Sequence, residues 1–410
     1  MTKKTYFISQ LLILSVIIIG CQPSGNIGKD LSTGEHQQST PTVMPNQQST
    51  PTVVPNQQST PTVVPNLLAN SVFGKFIRLA WFYKPPNVGQ LDLLRQYFDF
   101  FILTHKDEVA RDWLKDNGVT APILQYILLT EIIDPGDCVT DPYGNQVAYK
   151  AGDFCQISKQ HPDWFLLDQK GDRIQSASGN NYMDPGNPGY REFWLERARE
   201  MHDKFGWNGV FMDNLEASRK KFTDQGIIPA NYPNDASYQI AVEGFLAFLR
   251  NNYFQPSGHP MSGNIVSVDD NNVWLNYLQY LDAVMIESFA TSWSDGYQFP
   301  IEWERQMSII EAALEKGKTL ILVAQGDQAD TDLQRFAYAS YLLIANGNAI
   351  FRYSNSDFYR EVWIYDDYTL DLGTPLGQRK HQGLSWRRDF THGYVSVNPW
   401  THSAQISVKP

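Results

Sequence analysis

The run Gly209-Val210-Phe211-Met212 is apolar at every position and stops at Asp213-Asn214. A strand this short with no polar face is stable only where both faces are covered, as in a parallel sheet flanked by helices. The pattern returns in Ala283-Val284-Met285-Ile286, followed by Glu287. Around these runs, strand-like stretches alternate with helical periodicity, which is the order of repeated βα units. Eight strands are predicted at residues 76–83, 98–103, 122–129, 209–212, 264–268, 283–286, 319–324 and 349–353. Helices are predicted between them, among others at 109–117, 190–205, 237–251, 304–316 and 332–345. Eight such units close into a (β/α)8 TIM barrel, here assigned to residues 67–385.

The residues ahead of the barrel have another character. Lys3 and Lys4 precede an apolar stretch from Phe7 to Gly20, too short for a membrane span but suited to a signal peptide over residues 1–20. Its end, Ile18-Ile19-Gly20-Cys21, resembles the lipobox of bacterial lipoproteins. That resemblance implies export, lipidation of Cys21, and a membrane anchor holding the chain to the bacterial cell envelope. Residues 21–66 read as a disordered linker. The unit Gln-Gln-Ser-Thr-Pro-Thr-Val-Val-Pro-Asn starts at Gln37, Gln47 and Gln57, with Met44 replacing one Val. Two prolines per unit favour extended conformations and leave nothing to build a core.

Removing Cys21 from the 3 cysteines leaves Cys138 and Cys155, which in an exported chain are expected to form a disulfide. Both lie in residues 130–189, too long for an ordinary βα loop and expected above the active face. After the eighth strand, residues 394–397 and 404–408 alternate apolar and polar around Asn398-Pro399, predicting a small β-hairpin in a C-terminal extension, 386–410. The 8 histidines are scattered, and no zinc spacing, P-loop or dinucleotide fingerprint occurs, so neither metal nor organic cofactor is expected. A net charge of −11 speaks against nucleic acid or an anionic polymer and favours a neutral or cationic substrate. The domain is expected to be a monomer.

In a parallel barrel, catalytic groups sit where the strands end. Asp213 follows the fourth strand and Glu287 the sixth. Two carboxylates so placed suit glycoside hydrolysis, with Asp213 as nucleophile and Glu287 as a proton donor whose pKa is raised by apolar neighbours such as Phe289 and Trp293. The structural alternatives are a helix-capping Asp and a Glu paired with arginine. Asn214, Asp269 and Asp327 also follow strands and are candidates for binding sugar hydroxyls. Trp81, Trp164 and Trp293 fall at or beyond strand ends, where an indole can stack on a sugar ring, and Tyr83 ends the first strand.

The segment Met183-Asp184-Pro185-Gly186-Asn187-Pro188, then a helix, then Trp207-Asn208-Gly209-Val210-Phe211-Met212-Asp213-Asn214, resembles the glycosyl-hydrolase TIM-barrel families of bacteria. So do Arg335-Phe336-Ala337 with Ser340-Tyr341-Leu342-Leu343 and Asn346-Gly347, and the ending Gly393-Tyr394-Val395-Ser396-Val397-Asn398-Pro399. The resemblance spans residues 76–408. It implies the reaction class, a glycosidase, with Asp184 at the site; together with export, the expected substrate is an extracellular or cell-envelope poly- or oligosaccharide. A carboxylate pair on the fourth and sixth strands is similar to that of retaining α-glycosidase barrels. The rival reading is a non-catalytic carbohydrate-binding barrel on a lipoprotein stalk, its carboxylates too far apart or tied up by arginines. A polysaccharide deacetylase would need metal ligands that this chain lacks.

Overall fold

Inward and outward side chains alternate along the strands, and this parity decides what reaches the barrel axis. The computed structural model describes residues 76–409 except 88, 269–270 and 293–295. The leader, the repeat linker and Cys21 lie outside the described residues, as do Asp269 and Trp293. In chain order the strands among the described residues are β1 (Ala80–Phe82), β2 (Phe100–Leu103), β3 (Ile123–Leu128), β4 (Glu131–Ile133), β5 (Asn180–Tyr182), β6 (Gly209–Glu216), β7 (Met261–Val266), β8 (Ala283–Ile286), β9 (Thr319–Gln325), β10 (Ala349–Ser354), β11 (Lys380–Gln382), β12 (Ser385–Phe390), β13 (Gly393–Asn398) and β14 (Ser403–Val408).

Eight of them form one parallel sheet in the order β1-β2-β3-β6-β7-β8-β9-β10. Leu79 bridges Phe351, and the Phe351 N–H donates to the Arg78 carbonyl at 2.9 Å, which closes the sheet into a (β/α)8 barrel. Ala80, Phe82, Leu124, Phe211, Met285 and Ile321 belong to a core inside the barrel. Their neighbours of opposite parity, such as Trp81, Ile123, Met212 and Val284, pack outward against the helices. Each large side chain so buried contributes about 2 kcal/mol, and both layers depend on period-2 alternation.

The helices begin and end where local chemistry says. Asn187 accepts from the Tyr190 N–H, and Pro188 fills the first turn of helix Pro188–Phe205, which buries Trp194, Leu195, Ala198 and Met201 on one face. Asp330 caps helix Thr331–Ile344 by accepting from the Leu333 N–H. Among the described residues no helix is long and apolar enough to cross a membrane.

Residues 130–189 are a folded layer rather than an open loop. Strands β4 and β5 pair antiparallel, helix Asp153–Gln160 lies between them in the chain, and a disulfide joins Cys138 to Cys155. Closing a loop of this length contributes on the order of 3 kcal/mol in the chain-entropy view.

At the C-terminus the predicted hairpin is half of the structure found there. Strands β11-β12-β13-β14 form a four-stranded antiparallel sheet, so the extension begins before residue 386. The first two strands escape an apolar pattern because β11 is exposed throughout and Arg388 takes one of the two buried positions of β12. Arg388 is 8 % exposed and donates to the carbonyls of Gly377, Leu342 and Ala345 at 2.8, 3.1 and 2.7 Å, the last two at the end of helix Thr331–Ile344. Arg379 is held by Glu304 and Glu311 and lies 3.8 Å from the Trp386 ring centre.

Arg388→Ala would leave these carbonyls without their donor. We expect a loss of about 3 kcal/mol in urea unfolding, with Arg388→Lys recovering only part because one ammonium cannot serve all three acceptors. A midpoint equal to the parent's would show that the guanidinium does not hold the sheet to the helix.

Candidate active site

The parity that puts Phe211 inside the barrel also puts Asp213 there, two residues on. Glu287 stands in the same relation to Met285, Tyr126 to Leu124, and Asn264 to Ser262. All four come from the C-terminal ends of β3, β6, β7 and β8, so they meet at one mouth.

Strand β6 bulges at this point. Met212 pairs with Gly263 and Leu215 with Ile265, so Asp213 and Asn214 together face Asn264. Asn214 takes the extra residue in a left-handed conformation, φ 57°, which an Asn tolerates. Gly263 allows β7 to pass close by, since a Cβ there would meet Leu215 Cδ1 at 2.5 Å and the Met212 carbonyl at 2.8 Å. The Asn214 side chain turns to Glu131, donating to its Oε1 at 2.8 Å. Asp213 is left facing the axis.

Asn264 Nδ2 donates to Asp213 Oδ1 at 3.1 Å and to Glu287 Oε2 at 2.8 Å. Because both bonds start from one nitrogen, these two oxygens stand no more than about 6 Å apart. Tyr126 donates to Asp213 Oδ2 at 2.7 Å, and the Asn214 N–H to Oδ1 at 2.8 Å. Tyr83 donates to Glu287 Oε1 at 3.2 Å and stacks on Tyr126, ring centres 4.6 Å apart. Burial and then the negative charge of Asp213 push the Glu287 carboxyl up to about 7. Burial, and then the nearby carboxylates, hold the Tyr83 hydroxyl well above its usual range. Burial and Asp213 do the same to Tyr126. Both phenols therefore remain donors across the working pH range.

A second rank of charge supports the pair. Glu216 is 1 % exposed, accepts from Ser267 Oγ at 2.6 Å and is ion-paired to Lys221. Burial raises the Glu216 pKa, and Lys221 opposes the shift. For Lys221 burial works against the charge, but Glu216, Glu131 and Asp213 outweigh it and raise its pKa. Glu131, also buried, accepts from Asn214 and from Asn180 Nδ2 at 3.0 Å.

The other predicted residues lie elsewhere or do other work. Tyr83 is the exception, bonded to Glu287 of the pair. Trp81 is fully buried with outward parity, its Nε1 donating to the Lys84 carbonyl at 2.7 Å, so it offers no face to a sugar. Trp164 stacks on His161 at 4.0 Å and packs against Phe193 and Tyr190 of the outer helix. Asp184 holds its own turn, accepting from the Gly186 N–H at 2.8 Å, from Asn231 Nδ2 at 3.0 Å and from the Tyr232 hydroxyl. Asp327 is exposed in the loop after β9. Phe289 is buried against Phe351, and the groups touching the Glu287 carboxyl are Tyr83 and Asn264 instead. Tyr126, Asn264 and Lys221 were not singled out from the sequence. The first two carried a usable signal, being in phase with the inward core of their strands. Lys221, in the short helix Lys220–Thr223, carried none. Among the described residues no group of three or more His, Cys, Asp or Glu could hold a metal ion.

The sequence model of hypothetical glycosyl hydrolase family 15 matches residues 135–394, a span that includes both carboxylates. Among solved structures the chain is similar to the glycoside hydrolase domain of PelA from Pseudomonas aeruginosa, with 16 % identity over 70 % of this chain and 97 % of that one, TM-score 0.47. It is also similar to the noncanonic maltogenic alpha-amylase AmyB from Thermotoga neapolitana, with 11 % identity over 78 % of this chain and 85 % of that one, TM-score 0.47. No curated protein matches the sequence.

The raised Glu287 pKa has a sign that stability can test. The folded value is about 7 against an ordinary 4.5, so folding favours the protonated form. That preference has no cost below pH 4.5 and becomes a full penalty as pH rises through 7. Glu287→Gln, which cannot ionise, should match the parent near pH 4 and be on the order of 3 kcal/mol more stable at pH 8. A stability difference that does not change with pH would contradict the shift.

Proposed function

We propose that this chain, which belongs to hypothetical glycosyl hydrolase family 15 and is a glycoside hydrolase, cleaves its substrate with retention through Asp213 and Glu287. The observation that carries the reading is the shared Asn264 amide, which keeps a pair of carboxyl oxygens within about 6 Å. Retaining enzymes hold the two carboxyl groups about 5–5.5 Å apart, and inverting enzymes about 6.5–9.5 Å.

In the first step Glu287 gives its proton to the glycosidic oxygen while Asp213 attacks the anomeric carbon. The bond to the leaving sugar breaks and an ester to Asp213 forms. In the second step Glu287 takes a proton from water, the hydroxyl adds to the anomeric carbon, and the Asp213 carboxylate leaves. The Asp213 charge contributes to the high Glu287 pKa. Forming the ester removes that charge, so Glu287 becomes more acidic at the stage where it must serve as a base. Tyr126 and Asn264 donate to the Asp213 carboxylate, which lowers the energy of its departure. The carbohydrate-binding rival needs separated or arginine-bound carboxylates. Neither carboxylate forms a salt bridge among the described residues.

Asp213→Ala should abolish turnover. Glu287→Ala should lose about 10³-fold on substrates with poor leaving groups and far less on activated aryl glycosides. Azide should rescue it and yield a glycosyl azide of retained configuration. Product of inverted configuration from the parent enzyme would instead make Asp213 a base.

We also propose export and anchoring through Cys21, supported by the Gly20-Cys21 junction and by a disulfide suited to an oxidising compartment. Cys21→Ser should move the protein from the membrane to the soluble fraction. Unchanged membrane association would rule the anchor out.

A further inference from the structure

Beside the carboxylate pair the barrel mouth opens into a cleft of about 330 Å³. It is joined to the pair through Tyr126, which lines the cleft while its hydroxyl holds Asp213. Asn145 is also in the wall. Lys84, Lys106 and Arg360 line it too, from the loops after β1, β2 and β10, and all three are exposed. Among the described residues none of the three is ion-paired. The carboxylate in the wall, Asp107, is spent on its own turn, accepting from the Thr104 N–H at 2.8 Å and from the Thr104 hydroxyl.

Several arginines elsewhere are neutralised by carboxylates. Arg379 sits between two glutamates, Arg219 on Asp235 and Arg335 on Asp367. Three cations gathered without partners, in a chain of net charge −11, repel one another until an anion joins them.

Their placement is built by packing. The Asn87 N–H donates to the Arg360 carbonyl at 3.2 Å, tying the first loop to the last. Gly144 presses on the second loop, where a Cβ would meet Thr104 Oγ1 at 2.6 Å and the Lys106 nitrogen at 3.1 Å. The His105 N–H donates to the Gly144 carbonyl at 3.1 Å, and the Cys138–Cys155 disulfide brackets that segment.

We infer that the sugar unit bound in this cleft is acidic, carrying a carboxylate or a sulfate ester, so the substrate is an anionic glycan; this rests on the glycosidase reading above. Arg360 can bind either group through two parallel hydrogen bonds, and the lysines act as point charges. The overall negative charge does not oppose this, because salt screens it beyond about 8–10 Å. The local cleft therefore replaces bulk charge as the guide to substrate.

The test uses the full chain with four polymers: polygalacturonate, a sulfated galactan, an uncharged β-glucan and chitosan. Reducing-end release is measured with the parent, and oligomer binding by calorimetry with Glu287→Gln. The parent should cleave polygalacturonate or the sulfated galactan, and which of them is cleaved distinguishes carboxylate from sulfate. Lys84→Gln, Lys106→Gln and Arg360→Gln should each raise KM on the order of tenfold. Lys84→Arg and Lys106→Arg should keep affinity, and added salt should weaken binding. Unchanged melting of the variants separates lost charge from lost fold. Cleavage of the uncharged or cationic polymer alone would overturn the inference and leave the glycosidase standing. So would variants that cleave an acidic polymer as well as the parent does. No cleavage at all, with acidic oligomers still bound through the three cations, would keep the acidic cleft and reject the glycosidase. Absence of any acidic-oligomer binding would overturn the inference.

Discussion

A single side-chain amide, on Asn264, donates to both carboxylates at the barrel mouth, and the proposed chemistry depends on that shared contact. Without it, two like charges on the strands either side of β7 would separate as far as the mouth allows. With it, Asp213 and Glu287 are held close enough that one raises the pKa of the other. The tyrosines complete the arrangement from the opposite side. Each hydroxyl donates to one carboxylate and the two rings stack, so a movement of either phenol disturbs both acids.

Behind the amide stands a backbone irregularity. The bulge places two residues of β6 against one of β7, which allows Asp213 to face the axis while its neighbour Asn214 reaches Glu131. The left-handed Asn214 and the close approach of Gly263 are the local costs, and the packed barrel around them holds both in place. Glu216 and Lys221 then form an ion pair beside the site, giving three carboxylates of the mouth a cation to balance them.

The cleft beside the pair shows the same division of labour between scaffold and loops. Strands supply the groups that must be fixed to fractions of an ångström, because their parity and register leave little freedom. Loops after β1, β2 and β10 supply the three cations, and the folded layer inserted after β3 supplies the wall against which they are set.

Much of the fold was legible in the chain because βα repeats with buried strands leave a strong local pattern. All eight barrel strands occur where apolar runs were expected, and the carboxylates ending two of them follow from that pattern. Where the reading fell short, the cause was local. Ser262 and Gly263 are weak strand formers, so the sequence pattern shows β7 only from Asn264, whereas the strand begins at Met261 and carries Asn264 toward its top. Strand β12 was missed because Arg388 fills a position where an apolar residue was sought. The sequence shows Trp81 at a strand end, where a ring could face a sugar, but not the outward parity that buries it. The sequence alone determined the repeat, the eight barrel strands and the carboxylates that end two of them. Only the tertiary structure decided which side chains share a nitrogen, which arginines are buried and which cations stand together, because those facts arise from residues far apart in the chain meeting in space.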